Sequence, residues 1–135
     1  MDMQAALLAR LLAEATVFEE TNDRIAWVER PSLEAIPEDG ASVTLQTISS
    51  PRGRHMQGLQ TLRRTRVQCD IWARDYGAAR RTVEAIVSTL EPTGSVGGIR
   101  FRPTDFEGER DLLDATDTAT IFRTSIDLIV WHSLA

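Results

Sequence analysis

Two histidines, one cysteine and a few runs of carboxylates are the residues of this 135-residue chain with chemistry to offer. His55 and His132 lie far apart in sequence and Cys69 is near neither, so no zinc-type ligand spacing is present. The run Asp105-Phe-Glu107-Gly-Glu109-Arg-Asp111 has the composition to attract a divalent cation. It lacks the calcium-loop register with its terminal bidentate Glu, and reads as a solvated acidic loop. Gly94-Ser-Val-Gly97-Gly98 precedes a strand instead of opening a helix, and no Lys-Ser/Thr follows, so it is a turn and not a phosphate cradle. There is no Gly-x-Ser-x-Gly elbow, and Ser125 sits mid-strand without a histidine beside it in sequence. Cys69 falls on the apolar face of a strand, where a thiol behaves as a small hydrophobe. Asp70 and Asp127 form a carboxylate pair on outward faces, which alone is too little for acid–base work. The expectation is a non-enzyme with no catalytic residue, cofactor or metal.

Charge is unevenly spread. Fifteen basic residues, all arginine, stand against twenty acidic ones, a formal net charge of −5 that argues against a dedicated nucleic-acid coat. No carboxylate occurs between Asp39 and Asp70, whereas Arg52, Arg54, Arg63, Arg64, Arg66 and His55 fall inside that span. From Asp105 to Asp117 the sign flips, with Asp105, Glu107, Glu109, Asp111, Asp114 and Asp117 facing only Arg110. The chain reads as electrically two-ended. The arginine segment is open to three readings: a solvated loop, a nucleic-acid contact, or a dock for an acidic surface. Residues 50–66 hold no aromatic side chain to stack on bases, which weakens the second. The third is favoured over the second, because head-to-tail contact between identical subunits would join the opposite signs. Arg52, Arg54, Arg63, Arg64 and Arg66 on one side and Asp105, Glu107, Glu109 and Asp111 on the other are the candidate interface.

The elements that must position these residues are legible as patterns. Leu7, Leu8, Leu11, Leu12 and Ala15 recur at helical spacing over 2–16, Asp2 suits its N-cap, and Phe18 is expected to continue the contact. Ile25 to Val28 reads as a short strand or extended packing segment, and Pro31 and Pro37 bracket a linker. Val43, Leu45 and Thr47 alternate with polar residues, and Leu62–Trp72 returns as a long strand. On it Val67, Cys69, Ile71 and Ala73 face inward, while Arg64, Arg66, Gln68 and Asp70 face outward. Asp75 caps a second helix over 76–90, ended by Pro92 and Gly94. Val96–Arg102 is a strand, 105–117 a loop, and Thr118–His132 the last strand. The expected fold is α+β in one domain spanning 1–135: a mostly antiparallel sheet of about four strands, two helices on one face, and a long β-hairpin excursion around 49–61.

Composition bounds the class. Apolar residues at 42% and charged ones at 26% are ordinary for a globular chain. Outside the first helix no apolar run approaches the ~20 residues that cross a bilayer. No basic segment leads into an apolar stretch at the start, and a lone cysteine excludes an internal disulfide framework. No membrane is expected.

The stretch from His55 and Gly58 through Arg66-Val-Gln68-Cys-Asp70-Ile-Trp72-Ala73 to Tyr76-Gly-Ala78-Ala79 resembles the phage tail-completion or tail-terminator proteins. That family, also found in prophages and gene transfer agents, shows a glycine-containing hairpin, a Val-Gln-x-Asp-x-Trp-Ala strand and a Tyr-x-x-Ala helix. The Ala5–Leu12 helix, Asp23-Arg24-Ile25 and the closing strand to Trp131-His132 fall where the family would place them. Here Pro37-Glu-Asp-Gly40 intervenes before the first long strand, where the family runs straight in from a proline. The resemblance implies a homo-oligomeric ring, generally hexameric, at the head-proximal end of a tail in a virion or phage-like particle, assembled in the host cytoplasm. It would end tube growth and contact the major tail tube protein and the head-side connector or stopper. The outward residues Trp72, Ile129 and Trp131, left partly exposed in a monomer, would favour such association. Basic side chains facing the lumen would make weak, sequence-independent contact with passing DNA. A stand-alone nucleic-acid-binding or regulatory domain using the arginine-rich hairpin is the alternative.

Overall fold

The computed structural model describes residues 1–51, 54–55, 58–59, 62–115 and 118–134. In chain order the elements are α1 (Met3–Ala13), α2 (Ala15–Thr21), β1 (Ile25–Trp27), a 3-10 turn (Leu33–Ala35), β2 (Ser42–Ser49), β3 (Arg54–His55) and β4 (Gly58–Leu59). They continue with β5 (Arg63–Ala73), α3 (Tyr76–Leu90), β6 (Gly94–Val96), β7 (Ile99–Phe101), β8 (Asp105–Ala115) and β9 (Thr120–Leu134). The α+β class holds, but the sheet is larger than the four strands read from the sequence. It has seven strands in the order β1-β2-β5-β9-β7-β6, with β8 also on β9, and β3 and β4 pair separately. All its pairings are antiparallel except β1 with β2. The 49–61 excursion is the connection between β2 and β5, and β3–β4 is a short ribbon within it.

Period-two patterning builds the core as expected. Val67, Cys69, Ile71 and Ala73 of β5 are fully buried, as are Leu128 and Val130 of β9 and Leu45 of β2. Alternate side chains leave a pleated strand on opposite faces, so these residues share one side, where Leu7, Leu11, Val17, Val83, Ile86 and Leu90 of the helices meet them. Each Val, Leu or Ile among them contributes roughly 1.5–3 kcal/mol by leaving water. Asp75 Oδ2 accepts from Ala78 N–H at 3.1 Å and fixes the start of α3, and Asp2 Oδ1 accepts from Ala5 N–H at 2.8 Å to start α1.

Three differences from the sequence reading have physical causes. The first helix breaks at extended Glu14, making three helices and not two. A straight continuation would have aimed Ala15 and Phe18 at the core; the break re-phases the chain so that Val17 and Thr21 are buried and Phe18 is 46% exposed. Gly97 and Gly98 occupy φ +57° and +82°, the pair of positive values that a two-residue hairpin turn needs, so a strand precedes them as well as follows. The acidic segment is a strand and not a loop: β8 pairs with β9 from Asp105↔Ile129 to Ala115↔Thr120, with a bulge between Phe106 and Gly108. Backbone pairing to a long neighbour holds it in place despite its poor strand composition.

The sheet's outer face is not left bare. At Val28, φ +71°, a tight turn closed by Glu29 N–H to Trp27 C=O throws the chain across it. The resulting strap, 28–41, is tied down by Ser42 Oγ to Ala35 C=O and Thr44 Oγ1 to Glu29 C=O, both 3.0 Å. Arg74 donates to Ile36 C=O at 3.0 Å and to Leu33 C=O at 2.8 Å. Under the strap Ile36, Trp72 and Ile121 make a second small core. The guanidinium groups of Arg30 and Arg123 lie over the Trp72 ring at 4.7 Å each. Arg74→Ala should cost about 1–2 kcal/mol and speed amide exchange across 33–38 while the amides of α3 and β9 keep their protection. Unchanged exchange in 33–38 would remove Arg74 from the role of strap anchor.

Candidate subunit interface

The candidate residues sort by strand. Arg52 lies outside the described residues, and Arg54 is placed only as backbone in β3. Arg63, Arg64 and Arg66 stand on β5, Asp105, Glu107, Glu109 and Asp111 on β8, and one strand, β9, separates the two sets. Two strand spacings amount to about 10 Å, so these positive and negative stripes run side by side and not at opposite ends of the molecule.

Most of these side chains already have partners within the chain. Arg66 Nη2 is 3.8 Å from Asp127 Oδ2, both side chains about two-fifths exposed. Arg64 is exposed, its guanidinium 6.0 Å from the centre of the Trp131 ring, and Trp131 Nε1–H donates to Asp105 at 3.0 Å. Glu109 and Asp111 turn toward α3. Glu109 pairs with Arg80, and Asp111 accepts from Tyr76 at 2.8 Å and from Thr124 at 2.9 Å. The bond to Asp111 raises the Tyr76 phenol above its ordinary value. Glu107 is exposed at the bulge with no partner among the described residues. Among the described candidate side chains only Glu107 has no partner, while Arg64, Arg66 and Asp105 keep exposed or half-exposed charges on the outer face beside the partners just named.

The carboxylate pair Asp70 and Asp127 is divided between two arginines. Asp70, nearly buried, accepts from Arg123 at 3.1 Å and from Gln68, while Asp127 serves Arg66. Burial pushes the Cys69 thiol up, and the Asp70 charge adds to the shift, so the thiol stays protonated. Two of the aromatic and apolar side chains expected to need an outside partner do not: Trp72 is 4% and Ile129 1% exposed within this single chain, because strap and flanking strands cover them. Among the exposed apolar side chains that sequence reading missed are Leu112 and Leu113 on β8 and Ile48 on β2. For the two leucines the signal is an apolar pair among carboxylates, which a loop over 105–117 gives no reason to notice.

A cleft of about 650 Å³ opens at the foot of the hairpin, between Met1, Met3, Ile99 and Leu134. Its wall is a polar chain in which Arg63 donates to Ser50 Oγ at 2.8 Å, Ser50 meets Thr65 Oγ1 at 2.9 Å, and Thr65 meets His132 Nε2 at 2.8 Å. These hydroxyls and the imidazole satisfy one another, while the buried Arg63 Nε has no hydrogen-bond partner among the described residues. Burial, then the nearby Arg63 charge, pushes His132 down to about 4 from 6.5. Above 6.5 the folded and unfolded chains both hold it neutral. As pH falls toward about 4 only the unfolded chain takes the proton, so stability is lost across that window. The loss should reach on the order of 2–3 kcal/mol. His132→Gln should flatten the melting temperature between pH 6.5 and 4 relative to the unsubstituted chain; equal slopes would exclude His132 as its source.

Three comparisons bear on identity. The family described as tail completion protein gp17 matches residues 5–133. Among solved structures, a chain from the virion of a native gene transfer agent particle is 15% identical. It superposes with a TM-score of 0.69 over 97% of this chain and 94% of that one, and so shares the fold. No curated protein matches significantly. A family match over nearly the whole length makes this a structural component of a phage-type tail: the chain belongs to the tail completion protein gp17 family.

Proposed function

We propose that the protein closes into a ring, six copies around, at the head-proximal end of a phage-like tail, where it ends tube growth and joins the tail to the head-side connector. The observation that carries this reading is the family match across residues 5–133. The likeness to a chain in a gene transfer agent virion supports placement in such a particle. Ring closure needs two unlike surfaces on each subunit. The arginines of β5 with the hairpin beyond them, and the carboxylates of β8, are unlike in charge and lie to either side of β9. Within this reading Arg64 and Arg66, with Arg52 and Arg54 of the hairpin, form one side of the contact, and Asp105 and Glu107 the other. Arg63, bonded to Ser50, and Glu109 and Asp111, turned to α3, would have to exchange those partners to join it. The partners are other copies, the major tail tube protein and the connector or stopper, with weak phosphate contacts to DNA in the lumen. No step of this role calls for catalysis, a cofactor or a metal.

Native mass measurement of the full chain over a range of concentrations should show a closed multiple of the 15.0 kDa subunit, expected to be six. A persistent monomer that retards DNA with steep salt dependence would overturn the ring and favour the nucleic-acid-binding alternative. The double variant Arg64→Glu, Arg66→Glu should keep its melting temperature within a few degrees, because both side chains lie on the outward face. Its assembly should weaken by roughly tenfold or more in concentration. Assembly at the original concentration would exclude this charge contact.

A further inference from the structure

β8 is eleven residues long, and ten of them are exposed, with only Phe106 partly covered. One of its edges is paired to β9; among the described residues nothing pairs with the other. Such an edge presents a row of unpaired N–H and C=O groups, and proteins normally guard it with proline, charged side chains or strong twisting. Here there is no proline between residues 105 and 115, and only Asp114 among the charges lies beyond Leu112 and Leu113. The bulge guards only the first third, and Glu109 and Asp111 are drawn away toward α3.

Leu112 and Leu113 show what would cover it. Successive strand residues point to opposite faces, yet the two are 38% and 60% exposed. A partner packed on either face could bury only one of them. A strand lying alongside, in the plane of the sheet, would shield both.

The same sheet offers a second open edge. β1 accompanies β2 only as far as Leu45, so residues 46–49 lack an outer neighbour among the described residues, and Ile48 is 48% exposed. In the four adjacent strands β2-β5-β9-β8 the two open edges are the outermost ones. The β2 edge leads into the carboxylate-free span containing Arg52 and Arg54, and β8 carries five carboxylates against one arginine.

We propose that the free edge of β8, around residues 109–115, pairs with the 46–49 edge of β2 in a second copy of this chain, so that the sheet continues from subunit to subunit. The proposal rests on the ring reading and specifies its contact. The two edges differ in sequence and charge, so the contact is head-to-tail and repeats until it closes. A stagger between the paired edges is what a closed circle of tilted strands requires.

Amide exchange on the full chain, below and above its assembly concentration, tests this directly. Assembly should slow exchange in 109–115 and in 46–49 by about tenfold or more, with α3 unchanged. Rings that form without added protection in those two segments would overturn strand-edge pairing and leave the ring itself standing. A chain that never self-associates would overturn both. Leu112→Pro and Leu113→Pro give an independent arm, because one removes an N–H directed at β9 and the other an N–H directed outward. One variant should lose thermal stability; its neighbour should melt near the original temperature but fail to assemble. Both variants assembling normally would overturn the proposal.

Discussion

The fold depends on one strand being paired along both edges. β9 runs for fifteen residues, holding β5 along one side from His132 to Phe122 and both β7 and β8 along the other. Such a strand can be fully satisfied only if its neighbours differ in position along it, and they do: β7 takes the end at 132–134 and β8 the stretch 120–129. Its alternation supplies one layer of the core through Ile126, Leu128 and Val130 and the outer face through Arg123, Asp127 and Trp131. Arginine and carboxylate stripes are neighbours because this strand lies between them.

On the outer face, charge is handled by combining it with aromatic surface. Arg123 pairs with Asp70 and stacks on Trp72, while Arg30 of the strap supplies a second guanidinium contact to the same ring. A buried carboxylate alone would be costly; one held by a guanidinium that also packs on indole has its hydrogen bonds and its apolar cover together. The arginine-only composition suits this use, since a lysine ammonium offers neither the planar fork nor the stacking face.

Where one residue type and one period coincided, the fold was legible in the sequence. The alternation from Val67 to Ala73, the Asp75 cap and the stripe from Ala79 to Leu90 all translate directly into β5 and α3. What escaped was set by tertiary partners. Nothing local distinguishes Asp105–Ala115 from a solvated loop, because its strand state is imposed by pairing with β9. The break at Glu14 involves neither glycine nor proline and serves only to bring Val17 to the core. For the candidate interface, sequence identified the charged residues and the outward direction of Arg64 and Arg66. It could not show that Asp105, Glu109 and Asp111 are already engaged by Trp131, Arg80 and Tyr76.

The strap that begins at Val28 gives the subunit a polarity. It seals the Trp72 end of the outer sheet face beneath its own backbone, whereas the end bearing Arg64 and Trp131 stays accessible. Any circle of such subunits would carry two dissimilar rims. An inverted copy would bring a sealed surface against an open one, so orientation would be proofread by shape before charge acts.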